Sequence, residues 1–180
     1  MDSKTEQLFI ARAKKGDAEA FEALYNAYYS RIHKYTSYKS GSEEAASDIC
    51  QQVFLGAFQN ITSYSNKRGS FSSWLFRIAF NKSMSYLRCL YRNKEDSFNN
   101  VPEQIAGGSQ DSPEKLFIGS EQSMKVRKAV SKLNGFQKKV VEYRFFGECS
   151  VKEVANIIGK SQGAVKLLQF RALKKLKDLV

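Results

Sequence analysis

The sequence predicts an all-α protein made of two small helical domains joined by an acidic linker. Only two prolines occur in 180 residues, and apolar residues recur at three- and four-residue spacing, the period of an amphipathic helix. Charge falls into three blocks: residues 1–94 have a net charge of +6, residues 95–120 of −4 and residues 121–180 of +9. This pattern predicts two domains, 1–94 and 121–180, that face a nucleic acid, with 95–120 as a flexible acidic linker.

Composition argues against a membrane protein or a metalloprotein. No run approaches the roughly 20 apolar residues that cross a bilayer, and the N-terminus lacks the apolar core of a signal peptide. Three cysteines, Cys50, Cys89 and Cys149, and the single His33 are widely spaced, so no metal-site spacing occurs. We therefore expect no membrane insertion, no metal and no cofactor. An odd cysteine count without a secretory signal fits reduced thiols in the cytoplasm.

Residues 5–37 predict two helices that close a core. The apolar pattern pauses at Gly16-Asp17, where glycine can end one helix and aspartate can cap the next. His33, beside Lys34, is expected at the solvated surface.

A third helix is predicted to begin after Ser42, a suitable cap followed by acidic residues that favour the helix N-terminus. The positions expected to face the core are Ala45, Ile49, Val53 and the pair Ala57/Phe58. The other side presents Asp48, Gln51, Gln52 and Leu55. A solvated helix face usually carries more Lys and Glu, so this mixed surface is a candidate for binding a protein partner. A plain solvated face is the alternative.

The segment from Ile49 to Lys94 contains no Asp or Glu but has cations interleaved with aromatic residues. Cations that neutralise phosphates, beside rings on which bases stack, are typical of a single-strand binder. The spacing of Trp74, Leu75 and Ile78 indicates core instead, so the loop Thr62–Ser70 is the better place for base contacts. Asn81 fits either a structural hydrogen bond or a base contact. The DNA-contact candidates are Tyr64, Asn66, Lys67, Arg68, Arg77, Asn81 and Arg88.

Residues 95–120 hold both prolines, a Gly-Gly pair and most of the acidic excess. This composition predicts a tether, with one short helix at Pro113–Ile118 because proline is tolerated in a first helical turn.

Two further helices are predicted after Glu121, and we expect them to act as a scaffold for the last part of the chain. The first has apolar positions at Met124, Val126, Ala129, Val130 and Leu133. The second is marked by Phe136, Val140, Val141, Tyr143 and Arg144.

The stretch Ser150–Leu176 predicts a helix-turn-helix. Ser150 and Glu153 have the spacing of a capping box, Gly159 can end the first helix, and Ser161 can cap the second. In a helix-turn-helix the second helix can enter a DNA major groove, whereas a helical hairpin that only packs is the alternative. The packed face of the second helix is predicted at Val165, Leu168, Ala172, Leu176 and Leu179.

The exposed side chains of this second helix divide by chemistry. Cations are expected to neutralise phosphates, whereas polar and aromatic groups near the helix start are expected to reach base edges. The phosphate candidates are Lys160, Arg171, Lys174 and Lys175. The base and groove candidates are Ser161, Gln162, Lys166 and Phe170.

Two motif sets, in order around the linker, carry a family resemblance. The N-terminal set is Gly16-Asp17, Ala20-Phe21, Leu24-Tyr25, Asp48-Ile49, Gln51 to Leu55, Gly69 to Phe71, Trp74-Leu75, Ile78-Ala79, Asn81 and Arg88. The C-terminal set is Leu133, Gln137, Val140, Gly147, Ser150, Glu153, Ala155, Gly159, Ser161, Gly163, Val165, Lys166, Arg171, Ala172 and Leu176. With these residues the whole chain resembles the extracytoplasmic-function (ECF) group of the sigma-70 family of bacterial RNA polymerase sigma factors, in the family's regions 2 and 4.

The resemblance implies a role for each segment. The helix Asp48–Phe58 would dock on the coiled-coil clamp of the largest polymerase subunit. The loop Thr62–Arg68 and the helix Phe71–Arg88 would open the −10 element and hold its unpaired bases, and the helix-turn-helix would read the duplex −35 element. The linker would replace region 3 and thread toward the active site, where its negative charge could mimic nucleic acid. An anti-sigma factor is implied as a further partner.

Some positions depart from the family pattern. Asn134 stands where proline is usual, Ala46 and Ser47 replace acidic residues of the docking face, and Ser85 replaces a common Asp. In the last helix Gln169 takes a usually apolar position. Leu167, Leu168 and Phe170 take usually polar ones, so we expect a slight rotation of the packed face.

The sequence thus predicts a promoter-specificity subunit of RNA polymerase that is not an enzyme. One alternative is a helix-turn-helix regulator that binds duplex DNA without polymerase, but it would have no use for the Asp48–Phe58 surface. A second is a nucleic-acid enzyme, which would need clustered carboxylates or a nucleophile. Only Tyr64 near Arg68 offers such a nucleophile.

Overall fold

The computed structural model describes residues 1–99 and 121–179, with side chains at 1–92 and 124–179. All regular structure in these residues is helical, as predicted. Residues 100–120, including the short helix expected at Pro113–Ile118, lie outside the described residues. The helices are α1 (Ser3–Ala13), α2 (Ala18–Ser40), α3 (Glu43–Asn60), α4 (Phe71–Asn99), α5 (Glu121–Ser131), α6 (Gly135–Val141), α7 (Val151–Ile158) and α8 (Gln162–Lys177).

Helix starts and ends in the N-terminal half follow the local chemistry of the sequence. Asp17 accepts a hydrogen bond from the Ala20 amide at 3.0 Å, and Ser42 accepts one from the Ala45 amide at 3.4 Å. Gly41 ends α2 with φ +76°, a conformation that glycine adopts without steric cost. The caps predicted at Asp17 and Ser42 are therefore confirmed.

Helices α1, α3 and α4 pack around α2. The buried residues of α2 contact apolar residues of α3 and α4. Phe58 was expected in this core, but its side chain is 46% exposed, and its ring makes a T-shaped contact with that of Phe21 at 5.0 Å between centroids. Ala57 is buried as expected, and Phe54 is buried with it. One residue corresponds to about 100° of helix rotation, which carries Phe58 away from the face of Ala57.

His33 is less exposed than the sequence predicts. Its side chain is 18% exposed, its ring stacks on that of Tyr29, and its Nε2 lies 3.3 Å from the Ser47 hydroxyl. It is part of the contact between α2 and α3 rather than a solvated side chain.

The C-terminal helices bury one narrow face each. Val130, Leu133 and Val141 form a small core with Ala172 of α8. Three of the apolar residues that mark these helices lie at the surface, because short helices with one packed side leave their other apolar positions outside. They are Met124, Val126 and Phe136, which are 43%, 41% and 44% exposed.

Helix α6 continues into a π-helical turn at Glu142–Phe146. This turn carries Glu142 and Tyr143 into the interior, where they are 2% and 3% exposed. The main apolar core is continuous from α2 and α4 into this turn and into α7. The two halves are therefore in direct contact, an arrangement that the prediction of two domains on a tether does not contain. Within the described residues, no helix has the length and apolar character needed to span a membrane.

Candidate nucleic-acid interface

The helix-turn-helix is formed by α7 and α8 with the predicted caps. Ser150 Oγ accepts a hydrogen bond from the Glu153 amide at 3.2 Å, and the Glu153 carboxylate accepts one from the Ser150 amide at 2.6 Å. Gly159 ends α7 with φ +67°. Ser161 Oγ then accepts a hydrogen bond from the Ala164 amide at 3.2 Å and starts α8. The turn is thus specified by residues within it.

The packed face of α8 is close to the one that the periodicity predicts. Val165 and Ala172 are fully buried, and Leu168 and Leu176 pack beside them. Leu179 is an exception, since it lies beyond the end of α8 and is 37% exposed.

Gln169 lies at the margin of this face. Its side-chain oxygen accepts a hydrogen bond from Arg144 Nε at 3.1 Å. A polar residue is tolerated at this usually apolar position because its oxygen has a partner.

The outward face of α8 and the residues just before it carry seven of the eight side chains predicted to contact the −35 element, and all seven are exposed. They are Lys160, Ser161, Gln162, Lys166, Phe170, Arg171 and Lys174. The eighth, Lys175, is also exposed, but its Nζ donates to the Lys132 carbonyl at 2.9 Å. Phe170 is 67% exposed, more than any other large apolar side chain described.

Leu167, 49% exposed, lies on this same face and was missed as a candidate. The sequence could have indicated it, because Leu167 takes a position where the family usually has a polar residue.

Helix α3 presents its predicted partner surface along one side. Asp48, Gln51, Gln52 and Leu55 are all exposed, and Leu55 is 57% exposed. Phe58, at i+7 from Gln51, extends this surface. We name these five residues the α3 surface. An exposed Leu and Phe among short polar side chains are typical of a protein–protein contact rather than of a nucleic-acid contact.

Tyr64 is not the base platform that the sequence predicts. Its ring is 6% exposed and lies 5.5 Å from that of Phe71 and 5.4 Å from that of Trp74. Its hydroxyl donates to the Gly69 carbonyl at 3.1 Å, and burial raises its pKa to about 12. Tyr64 holds the loop by packing. A protonated, buried phenol is also poorly suited to act as a nucleophile, which removes the residue on which the enzyme alternative depended.

The other candidates in the −10 region are exposed but occupy two separate places. Asn66, Lys67 and Arg68 form an exposed 3-10 turn. On α4, Arg77 Nη2 donates to the Asn156 carbonyl of α7 at 2.7 Å. Contact with the helix-turn-helix thus already occupies one donor of this predicted DNA contact.

Farther along α4, Asn81 lines a cleft between α4 and the C-terminal helices, together with Phe80, Lys139 and Ile157. Arg88 lies 11 residues beyond Arg77 and so about 16 Å farther along the helix. It donates to the Met84 carbonyl at 3.3 Å. The cationic residues of α4 are therefore spread along its length rather than gathered in one pocket.

Comparison with known proteins identifies the fold and the family. The family description "Sigma-70 region 2" matches residues 24–93, and "Sigma-70, region 4" matches residues 129–178. The ECF RNA polymerase sigma factor BldN of Streptomyces coelicolor is 31% identical over 179 residues, covering 99% of this chain and 67% of BldN.

Two solved structures share the fold. CnrH, in complex with the cytosolic domain of CnrY, has a TM-score of 0.68 at 24% identity over 97% of this chain and 96% of CnrH. The sigma factor RpoE of Bartonella quintana, in complex with the anti-sigma factor NepR, has a TM-score of 0.62 at 22% identity over 90% of this chain and 97% of RpoE. The two family matches and the similarity to BldN establish that the chain belongs to the ECF group of the sigma-70 family of RNA polymerase sigma factors.

Proposed function

We propose that this sigma factor divides promoter recognition among three surfaces. Helix α8 reads the duplex −35 element, α4 and the loop before it hold the melted −10 element, and the α3 surface docks on core RNA polymerase. The chain acts as a specificity subunit in the cytoplasm and is not itself an enzyme, because the polymerase supplies the chemistry. The observation that carries this proposal is the outward face of α8, where base-reading and phosphate-binding side chains lie together on a capped recognition helix.

On α8 the two kinds of contact are separated. Gln162 lies in the first turn of the helix, where an amide can form a bidentate contact with an adenine edge. Arg171 and Lys174 lie about two and a half and three turns farther on, where cations neutralise phosphates and give affinity without sequence information. Phe170 and Lys166 lie between them and contact the groove.

In the −10 region the cations supply most of the binding. Lys67, Arg68 and Arg88 contact the backbone of the unpaired strand, while Asn66 and Asn81 offer amides to base edges. Unpairing and unstacking cost a few kcal/mol per base, which these contacts offset. Tyr64 takes no direct part, because its ring supports the loop from inside.

The α3 surface supports docking on the clamp coiled coil of the largest polymerase subunit. Leu55 and Phe58 provide apolar area, and Asp48 with the two neighbouring amides provides hydrogen-bonding groups around it. This combination of an apolar centre and a polar margin is the usual composition of a protein interface.

An anti-sigma factor is a further proposed partner. The complex of the related RpoE with NepR supports this. An anti-sigma factor would compete with polymerase and promoter for the same exposed faces.

Run-off transcription tests the proposal. Core RNA polymerase is incubated with a library of promoter templates, with and without this chain, and the transcripts are sequenced. We expect transcripts from a subset of templates that share −35 and −10 elements, and only when the chain is present. The proposal would be contradicted if the chain bound duplex DNA but gave no promoter-dependent transcripts and did not associate with core polymerase. That result would identify a polymerase-independent regulator instead.

A further inference from the structure

The two promoter-reading parts of this chain touch each other in the structure. Arg77 of α4 and Asn156 of α7 are joined by a hydrogen bond of 2.7 Å. The −10 and −35 elements, by their names, have centres about 25 base pairs apart, which is about 85 Å along B-DNA. The conformation seen here therefore cannot hold both elements, and the two halves must separate on a promoter.

A cluster of ion pairs holds the halves together. Arg31 of α2 reaches across to the Glu153 carboxylate at 3.2 Å, to the Gly147 carbonyl at 3.3 Å and to Cys149 Sγ at 3.6 Å. Lys39, also on α2, donates to both oxygens of Glu142 at 3.0 Å. The side chains of Lys39 and Glu142 are 10% and 3% exposed, so this pair is removed from water.

Stacked aromatic rings accompany these charges. Tyr35 of α2 stacks on Tyr143 with centroids 5.4 Å apart and planes 10° apart. Tyr38 stacks on Phe146 at 3.7 Å and 12°. The Phe76 ring of α4 lies against Gly147, where an added methyl group would lie 2.8 Å from the ring. The contact between the two halves is thus closely packed, both where it is polar and where it is aromatic.

The composition of this contact suits a reversible switch. Buried ion pairs add little net stability, because the free-energy cost of desolvation offsets much of their attraction. When the pair separates, both charged groups regain their hydration. The aromatic rings carry most of the binding energy. A contact of this kind can be both specific and easily opened, as are many interfaces between domains of one chain.

We propose that these residues form an autoinhibitory latch that keeps the free sigma factor closed. We name the set Arg31, Tyr35, Tyr38, Lys39, Glu142, Tyr143, Phe146 and Glu153 the latch. While the latch is closed, Arg77 is bound to α7 and Asn81 lines the cleft beside it, so this part of α4 is partly covered against single-stranded DNA. The assignment of Arg77 and Asn81 to the −10 element rests on the proposed function, but the closed state itself does not.

The native cysteines report the state of the latch. Cys149 is buried beneath Arg31, Cys50 is buried within the N-terminal core, and Cys89 is exposed on α4. Burial raises the pKa of both buried thiols to about 12, so both react slowly while covered. Opening of the latch should expose Cys149 alone, whereas unfolding should expose Cys149 and Cys50 together.

The test is alkylation of the full chain by iodoacetamide, without polymerase or DNA, with each cysteine followed by mass spectrometry. We expect fast modification of Cys89 and slow modification of the other two in the native chain. Arg31→Gln should raise the rate at Cys149 about tenfold or more and leave Cys50 unchanged. Arg12→Gln is the matched control, because it removes the same charge from an ion pair within the N-terminal half, Arg12–Asp17, and should change neither rate.

Three results would overturn the latch. Cys149 could react as fast as Cys89 in the native chain, Arg31→Gln could leave Cys149 protected, or Arg31→Gln could expose Cys50 as well, which would make Arg31 a residue of general stability. Because no polymerase is present, failure here would leave the proposed function standing. Loss of promoter-dependent transcription would equally leave the latch standing.

Discussion

Helices α3 and α4 lie side by side in the N-terminal half, yet their proposed contact surfaces differ in whether the C-terminal half already touches them. The five side chains of the α3 surface are exposed, and Leu55 and Phe58 are 57% and 46% exposed. On α4, Arg77 is bonded to Asn156 and Asn81 lines a cleft formed with the C-terminal helices. One surface is therefore ready for a partner and the other is partly covered.

This difference suggests an order of events. With the proposed roles, a closed chain presents the α3 surface to polymerase while part of α4 is still covered, so we expect docking to precede opening. The reading face of α8 is also uncovered, so duplex binding does not require the latch to open. Single-strand capture, and binding of both promoter elements at once, depend on separation of the two halves.

The largest expected effect is a loss of affinity for core RNA polymerase in the variant Leu55→Asp. A charge at the centre of an apolar contact removes its packing and leaves an unpaired carboxylate. Loss of one central apolar contact commonly costs at least about 2 kcal/mol, or about 30-fold in affinity. Competition of the variant with a labelled reference sigma factor for core polymerase measures this loss.

Leu8→Asp is the matched control for this experiment, because Leu8 is also 57% exposed but lies on α1. It should bind polymerase as the native chain does. Equal loss of affinity in both variants would mean that the α3 surface has no special role.

The second prediction concerns Gly147→Ala, which should separate the C-terminal half from α4. The new methyl group would lie 2.8 Å from the Phe76 ring of the other half, so the contact between the halves must loosen to admit it. Alkylation of Cys149 should speed up about fivefold or more, while docking on core polymerase should stay unchanged.

Gly135→Ala provides the control, because no heavy atom lies within 4 Å of the added methyl group. If Cys149 is equally protected in both alanine variants, the close contact between Gly147 and Phe76 does not hold the two halves together.

A third prediction concerns α8, which is uncovered like α3. Gln162→Ala should lose about 1–3 kcal/mol of discrimination at one −35 position, because a base edge loses its partner. Lys174→Ala should weaken binding to all sequences alike and reduce the slope of log affinity against log salt by about 0.9, the contribution of one phosphate. Titration of a −35 duplex and its single-base variants at several salt concentrations measures both. Uniform loss in both variants would refute the division of roles.

The smallest effect is on the pH dependence of the latch. Burial alone would raise the pKa of Glu153, but hydrogen bonds from Ser72 and Ser150 and the charge of Arg31 lower it below the ordinary 4.5. The stabilisation is therefore present above pH 4.5 and is lost as pH falls through the lowered value. Urea unfolding between pH 7 and pH 3 should show this loss, and Arg31→Gln should show less of it. An identical pH profile in the variant would exclude the ion pair as its source.

The features predicted correctly from sequence are those fixed by nearby residues. The caps at Ser42, Ser150 and Ser161 and the turn at Gly159 depend on atoms within four positions, so short motifs specify them. The exposed face of α8 follows from helical periodicity for the same reason.

The features missed depend on tertiary contacts rather than on local motifs. Arg31 and Glu153 are 122 positions apart, so no local pattern indicates the latch. The burial of Tyr64 depends on Phe71 and Trp74 folding back over the loop. Periodicity also does not fix which of two adjacent aromatic or apolar residues points inward, which is why Phe58 was assigned to the core.

The distance between the two halves, free and on a promoter, tests the central claim most directly. A donor and an acceptor dye on exposed Cys89 of α4 and on a cysteine introduced by Lys177→Cys at the end of α8 report it by energy transfer. We predict high transfer in the free chain and in its complex with core polymerase alone, and low transfer once promoter DNA is bound. Low transfer already in the free chain would contradict the closed state.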